Sequence, residues 1–339
     1  MKRKAYFGIA VSVLCLFLAF RKTQFGELRN AFSQAEYLYL IPAAACTLTS
    51  FYIRAYRWKF LMKPLKNART MSLFSSTMIG FMANNLLPAR LGEFVRAYAV
   101  GKKEKVSKTA SFATIVIERV LDVFVLLVLF GILILVMPLP KELKVGGYFA
   151  LVLNAVSMLV LLAFLIFPRW TLSLATAASR PLPGKLEHRV SRIVRSFGQG
   201  LEVFKRGKET FYSLMLSFVV WFFAGLAIYF SILSVEVNLP PHATLLVLVV
   251  LSLGVMIPSS PAYVGPIQYF SVLGLSLFDV DKTRALAFSF LYHSTQFFPV
   301  TLLGLFYLWK ENLSIREITA KDVVSFGNAQ GAKNEKPGA

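Results

Sequence analysis

Apolar stretches recur near 5–20, 37–56, 70–87, 108–137, 147–168, 210–235, 243–257 and 282–309. Two shorter ones, 91–100 and 264–278, each follow a break that contains proline. A helix needs about 20 apolar residues to cross a hydrocarbon core about 30 Å thick. The stretch 91–100 is too short to do that alone. The start, "MKRKAYFGIAVSVLCLFLAF", has the basic head and apolar body of a signal peptide. No small-residue cleavage site follows, and Leu14 before Cys15 is not a lipoprotein signature, so 5–20 reads as a retained first helix.

The polar segments set an orientation. "MKRK" is basic, as is 54–69 with Arg54, Arg57, Lys59, Lys63, Lys66 and Arg69. So are "GKKEKVSK" at 101–108, the long segment 169–208 and the tail from Lys310. Basic loops stay on the cytoplasmic side. The segments 138–146 and 236–242 then face out, whereas 21–30, with Arg21, Lys22 and Arg29, fits less well. With 69 and 101 both inside, 70–100 must enter the membrane and return, its tip near Asn85–Gly92. With 243 and 281 both outside, 243–278 is a second re-entrant hairpin from the opposite face, its tip "PSSPAYVGP" at 258–266. Six full crossings remain: 5–20, 37–56, 108–137, 147–168, 210–235 and 282–309.

The two hairpin units, about 70–137 and 243–309, resemble each other. Gly80 matches Gly254, Arg119 matches His293 and Asp122 matches Gln296 at a common spacing; Pro88 and Gly92 match Pro261 and Gly265 one residue closer. Interrupted segments at corresponding places in two halves of opposite orientation mark an inverted repeat and point to a binding site. The expected fold is therefore all-α: one polytopic helical membrane domain over 1–310, with six spans and two opposed re-entrant hairpins. The segment 186–204 reads either as an amphipathic helix on the cytoplasmic lipid surface or as a solvated loop helix. The tail 311–339 is polar and expected to be disordered.

Composition agrees. Of 339 residues 56% are hydrophobic and 16% charged, and the mean hydropathy is +0.62, which excludes an ordinary soluble domain. The 37 basic residues against 17 acidic ones would point to nucleic acid in a soluble chain. Here loops facing anionic lipid account for them, and no aromatic-interleaved basic module exists, so no nucleic-acid partner is expected. Cys15 and Cys46 lie in separate apolar runs and make neither a disulfide framework nor a metal site.

The chemistry concentrates in "NNLLPARLGEFVRA", residues 84–97. Pro88 interrupts a helix and Gly92 starts another. Asn84, Asn85, Arg90, Glu93 and Arg96 surround the break, Glu93 and Arg96 on one helical face. In the following run Glu118 and Asp122 are four apart with Arg119 beside them. A charge at the bilayer centre costs at least about 2.5–3.5 kcal/mol. Two readings stay open: Arg90 or Arg96 pairs with Glu118 or Asp122 and staples hairpin to helix, or the cluster lines a hydrated cavity that receives a charged substrate. Arginines beside a broken helix suit phosphate. The second hairpin offers Ser259, Ser260, Tyr263 and Gln268 between Pro258, Pro261 and Gly265, followed by His293 and Gln296. No nucleotide loop, nucleophile elbow or zinc-protease motif is present, and His188, His242 and His293 are scattered. Neither catalysis nor a cofactor or metal is expected.

The runs "NNLLPARLGEFVRAY", "ATIVIERVLDVFVLL" and "IPSSPAYVGPIQYF" resemble the transmembrane domain of bacterial lysylphosphatidylglycerol synthases and its stand-alone flippase-like relatives, over roughly 37–310. In that family the domain is implicated in moving aminoacylated phospholipid between leaflets, and a separate soluble domain performs aminoacyl transfer. The resemblance implies roles for Asn85, Pro88, Arg90, Gly92, Glu93, Arg96, Glu118, Arg119 and Asp122, then Pro258, Pro261 and Gly265. Gln268 departs from the family, which often has Glu shortly after the second hairpin's glycine. With about 30 residues after the last helix, the chain is expected to lack the transferase domain. The expectation is a protein of the cytoplasmic membrane, both termini inside, that binds an anionic or zwitterionic lipid headgroup at the midplane and translocates it. Its partners would be membrane lipids and envelope-lipid biosynthetic proteins. The rivals are a membrane-embedded lipid-modifying enzyme, a non-transporting scaffold and a transporter of a small water-soluble solute.

Overall fold

The computed structural model describes residues 2–21, 23–87, 91–138, 202–256 and 259–314, with isolated positions between 141 and 199. The expected crossing 147–168, the segment 186–204, the tail beyond 314, and Pro88, Arg90 and Pro258 lie outside or almost wholly outside these residues. The described chain is helical: α1 (Lys2–Phe20), α2 (Phe25–Ser33), α3 (Leu40–Met62), α4 (Thr70–Leu86), α5 (Gly92–Glu104) and α6 (Lys108–Val136). It resumes with α7 (Gly207–Leu233), α8 (Pro241–Met256), α9 (Pro266–Ser276) and α10 (Lys282–Lys310).

Three helices have the length and apolarity to cross a bilayer: Tyr37–Met62, Lys108–Val136 and Gly207–Leu233. The bent pair Gly8–Phe20 and Phe25–Ser33, at 85°, is a fourth candidate. Helix α10 is as long as α6 but carries Lys282, Arg284, His293, Gln296 and Lys310 along its 29 residues. At a rise of about 1.5 Å per residue, α5 covers about 20 Å and α9 about 17 Å, both short of a 30 Å core. Each is instead folded back on its predecessor, α5 on α4 and α9 on α8.

Two sequence expectations change. The segment 21–30 is not an open loop: it contains most of α2, an amphipathic turn packed on α10. Arg54 and Arg57, assigned to a cytoplasmic loop, belong to α3, which continues to Met62 with both arginines buried. The helix continues because Ala55, Trp58, Leu61 and Met62 carry its apolar face past them, all fully buried.

The helices form two interlocked units, α3–α6 and α7–α10. Every packing relation in one has its counterpart in the other. α3 packs on α4 as α7 does on α8, and α5 packs on α6 as α9 does on α10. Across the units, α4 lies on α10 and α8 on α6, while α3 and α7 embrace each other. That last pair is antiparallel, since Lys63 meets Glu209, Phe60 meets Tyr212, Arg57 meets Ser217 and Ser50 meets Val220. The units are thus inverted relative to one another. Their backbones repeat in detail. The residues ending the first and second hairpins, Lys105 and Asp279, are both left-handed (φ 55° and 56°). Ser107 and Asp281 then cap α6 and α10 by accepting from N–H groups of the first turn. Gly80 and Gly254 sit where the hairpin arms touch: a Cβ on Gly80 would meet Arg96 and the Gly92 carbonyl at 2.8 Å, and one on Gly254 would enter the Phe270 ring.

Candidate functional site

The centre of the first unit is an ionic cluster on α3, α5 and α6. Glu118, with no exposed surface, accepts two hydrogen bonds from Arg96, at 2.7 and 2.9 Å. It also accepts one from Arg119 at 2.6 Å and lies 3.3 Å from Arg57 and 3.5 Å from Arg54. Asp122, one turn on, takes Arg54 on one oxygen and Arg57 on the other, both at 2.5 Å, with Arg119 at 3.4 Å. Arg57 also donates to the Ser217 hydroxyl of α7 at 2.6 Å. The Arg96 guanidinium lies 3.8 Å from the centre of the Trp58 ring, whose indole N–H donates to Thr114. Such fork-to-carboxylate geometry is what arginine supplies and lysine does not.

Helix positions give the depth. Glu118 lies ten residues from the start of α6 and Ser217 ten from the start of α7, about 15 Å along each axis. Arg57 is five residues from the end of α3, about 8 Å. The cluster therefore lies well inside the lengths of α6 and α7, more than one turn from the end of α3.

Among the described residues the charges do not balance. Four guanidiniums (Arg54, Arg57, Arg96 and Arg119) face Glu118 and Asp122. Glu93, within Coulombic reach of Arg119, is a third carboxylate, which leaves one more positive than negative charge among the described residues. The Nε–H of each of the four arginines is buried without an acceptor among the described residues. Arg96 and Arg57 are almost wholly buried, and Arg119 is the one of the four with substantial access, its side chain 36% exposed.

Asn84 and Gly92 hold the hairpin closed beside this cluster. The Gly92 N–H donates to the Asn84 side-chain oxygen at 2.8 Å, and the Asn84 amide reaches Glu93 at 3.3 Å. A Cβ on Gly92 would overlap the Gly80 carbonyl, so only glycine permits the approach. Asn85 turns away to donate to Thr301 of α10.

The polar residues of the second unit form a separate group. The Gln268 side-chain oxygen accepts from the Gly265 N–H at 2.7 Å, closing the start of α9, where Gly265 has φ +100°. The Gln268 amide lies 3.3 Å from His293, whose ring also bonds the Ala262 backbone. Ser260 is tied by its N–H to Ser12 of α1, and Ser259 lies against Gly8. Gln296 donates to Thr47 of α3. The turn Pro261–Tyr263 packs on α4, so the tip of the second hairpin meets the first.

Of the residues singled out from the sequence, Glu93, Arg96, Glu118, Arg119 and Asp122 come together, with Asn84 and Gly92 alongside. Asn85, Gln296 and the Gln268–His293 pair serve other contacts, and Ser259 and Ser260 seat the tip on α1. Sequence reasoning missed Arg54 and Arg57. The available signal was apolar periodicity running on through Trp58, Leu61 and Met62, which keeps two arginines three apart on a helix rather than in a loop.

Comparison with known proteins bears on the same residues. A UPF0104 membrane protein of Methanocaldococcus jannaschii is 28% identical over 235 residues, 68% of this chain and 95% of that one. Another, of Methanothermobacter thermautotrophicus, is 23% identical over 321 residues, 90% of this chain and 94% of its own. A second UPF0104 protein of M. jannaschii is 25% identical over 291 residues, 78% of this chain and 82% of that protein. No solved structure matches. The description of the lysylphosphatidylglycerol synthase transmembrane region matches residues 6–304, taking in both hairpins and the ionic cluster. The chain is a multi-pass membrane protein and belongs to the lysylphosphatidylglycerol synthase transmembrane-region family.

Proposed function

We propose that this protein binds the phosphate-bearing headgroup of a membrane lipid at the α3–α5–α6 cluster and carries it between leaflets of the cytoplasmic membrane. The observation that carries this reading is the charge excess among the described residues: four arginines against three carboxylates within the apolar helices, with Nε–H groups that have no acceptor among those residues. Buried charges need partners. A phosphate would complete the set, taking bidentate bonds from guanidinium groups. The two short hairpins supply broken helices within an inverted pair of units, the architecture in which alternating access arises by rocking one unit against the other. Arg119 and Arg54 would hold the phosphate, Asp122 would hold them when no lipid is bound, and Arg96 with Glu118 would fix α5 against α6.

The test is leaflet exchange of labelled phospholipid in liposomes containing purified protein. The wild type is expected to exceed empty liposomes, and Arg119→Met to fall back to the empty rate while retaining its fold. Equal exchange with and without protein, across headgroups and with a pH gradient imposed, refutes transport.

A second reading, a non-transporting scaffold, draws on the Arg96–Glu118 pair, whose complete burial suits a staple as well as a site. Under it, Arg119→Met leaves cellular function intact, as does any substitution that keeps the helices packed.

A further inference from the structure

The second unit carries a titratable ring where the first carries a fixed cation. His293 stands at the repeat position of Arg119. It lies eleven residues past Lys282 at the start of α10, about 17 Å along the axis. An arginine stays charged in a protein, whereas a histidine gains and loses a proton near neutral pH.

The hydrogen bonds around the ring fix its state. The Gly265 N–H is buried and donates to the Gln268 side-chain oxygen at 2.7 Å. That bond orients the amide, so its NH2 faces His293 Nδ1 at 3.3 Å. Nδ1 is therefore an acceptor, and the ring is neutral with its proton on Nε2. A further proton, taken from water, has Nδ1 as its place, where it points an N–H at an NH2. Turning the Gln268 amide over relieves that conflict and creates another, because the NH2 then faces the Gly265 N–H. Gln268 has no exposed surface, so water does not replace the lost acceptor. Gly265 cannot shift to find one: its φ is +100°, and a Cβ there would collide with the Ser12 carbonyl of α1. The same turn is tied to α1 by the Ser260 N–H, which donates to the Ser12 hydroxyl at 2.9 Å, and rests on α4 through Pro261–Tyr263. A protonated ring and a closed tip exclude each other.

Among the described residues, no carboxylate stands by to balance that proton. No charged residue lies on α4, on α9 or in the turn 259–264. The first charge on α3 is Arg54, seven residues past the Thr47 that Gln296 bonds. Helix α2 carries Glu27 and Arg29, and Glu27 meets Thr283, ten residues before His293. The charges of α7 are Lys208 and Glu209, at its start. The titratable residues next to the ring and its partners are Tyr263, Tyr269 and Tyr292. We propose that His293 is a proton-binding site that latches the second hairpin: neutral, it holds the tip closed through Gln268 and Gly265; protonated, it releases the tip. The proton is then the ion coupled to lipid movement. That coupling rests on the transport reading above, and the latch stands without it.

The experiment uses the full chain in detergent micelles, with Cys15 and Cys46 replaced by Ser and one new cysteine, Ser259→Cys, in the tip. The Ser259 hydroxyl is buried without a partner among the described residues, so the change removes no bond seen there. Reaction with an impermeant thiol reagent is followed from about pH 8 to about pH 5, where histidine titrates. Rates are taken relative to Lys105→Cys, an exposed position, to cancel the pH dependence of the reagent. The ratio is expected to rise as pH falls, by at most about tenfold per unit, the limit for one proton. His293→Gln keeps an acceptor for the Gln268 amide and should stay slow at every pH. Gln268→Glu offers one oxygen to Gly265 and the other to a protonated ring, so its tip should stay shut at low pH. Nitrogen NMR of histidine-labelled protein should show a neutral ring with Nε2 protonated, absent in His293→Gln, that takes up its proton over the range where the ratio rises. A flat ratio in the wild type, a ring neutral throughout, or Gln268→Glu opening as the wild type does overturns the latch. Should His293→Gln fail to fold, Gln268→Glu, which keeps the Gly265 bond, still decides. Leaflet exchange absent throughout while the ratio behaves as expected removes transport and leaves the latch; exchange with a flat ratio does the reverse.

Discussion

Replacing Glu118 by Gln tests the division of labour inside the cluster. Gln keeps the shape and removes one negative charge from a side chain with no exposed surface. Four guanidiniums lie within 3.5 Å of that carboxylate, two of them almost wholly buried. Removing one partner of a buried pair costs about 3–5 kcal/mol, because the remaining charge is left uncompensated. Here the excess among the described residues rises from one positive charge to two, so the upper part of that range is expected. Arg119→Gln is the contrast. Its side chain is 36% exposed and it removes one of four cations, so it is expected to cost less than Glu118→Gln. Unfolding by sodium dodecyl sulfate in mixed micelles reads both. Exchange in liposomes should fail in each, in Glu118→Gln with the larger loss of stability and in Arg119→Gln with the smaller. Combining Glu118→Leu with Arg96→Met should return part of the loss, a coupling of about 1–3 kcal/mol. A cost below about 1 kcal/mol for Glu118→Gln would refute this reasoning, since it would mean that water screens the carboxylate.

Gly80→Ala and Gly254→Ala should each destabilise by about 1–3 kcal/mol, since each new methyl meets the opposite arm of its hairpin; equal stability of either variant with wild type in the same titration would count against the observed closeness. Gln268→Ala leaves the buried Gly265 N–H without its acceptor and should cost about 1–3 kcal/mol, with Gln268→Glu keeping the bond and most of the stability. After Cys15 and Cys46 are replaced by Ser, single cysteines at Lys105 and Val280, at the ends of the two hairpins, should react with an impermeant thiol reagent from opposite sides of the membrane; labelling from the same side would contradict the inverted arrangement.

Much of the architecture was legible in the residues. Proline and glycine interrupt the apolar pattern at 88–92 and 261–265, and no helix continues through an uncompensated break, so both hairpins could be placed. The spacing of Glu118 and Asp122 fixed them on one face of α6. The matches Gly80 with Gly254 and Arg119 with His293 anticipated a repeat that the backbone carries further, in Lys105 with Asp279 and Ser107 with Asp281. Arg54 and Arg57 were misplaced for a physical reason. Basic residues at the end of an apolar stretch satisfy the positive-inside rule whether they face the cytoplasm or turn inward, and only the carboxylate of Asp122, remote in sequence, distinguishes the two.

By itself the sequence determined that the chain is a helical membrane protein, where its helices break, and that Glu118, Arg119 and Asp122 sit inside an apolar helix. These depend on the period of an apolar pattern and on local backbone chemistry, which neighbouring residues set. Only the tertiary structure decided which arginine meets which carboxylate, and that Arg96 is buried against Glu118 while the Arg119 side chain keeps 36% of its surface exposed. Those facts arise where α3, α5 and α6 converge, and the distance between side chains on separate helices is a property of packing that no single segment encodes.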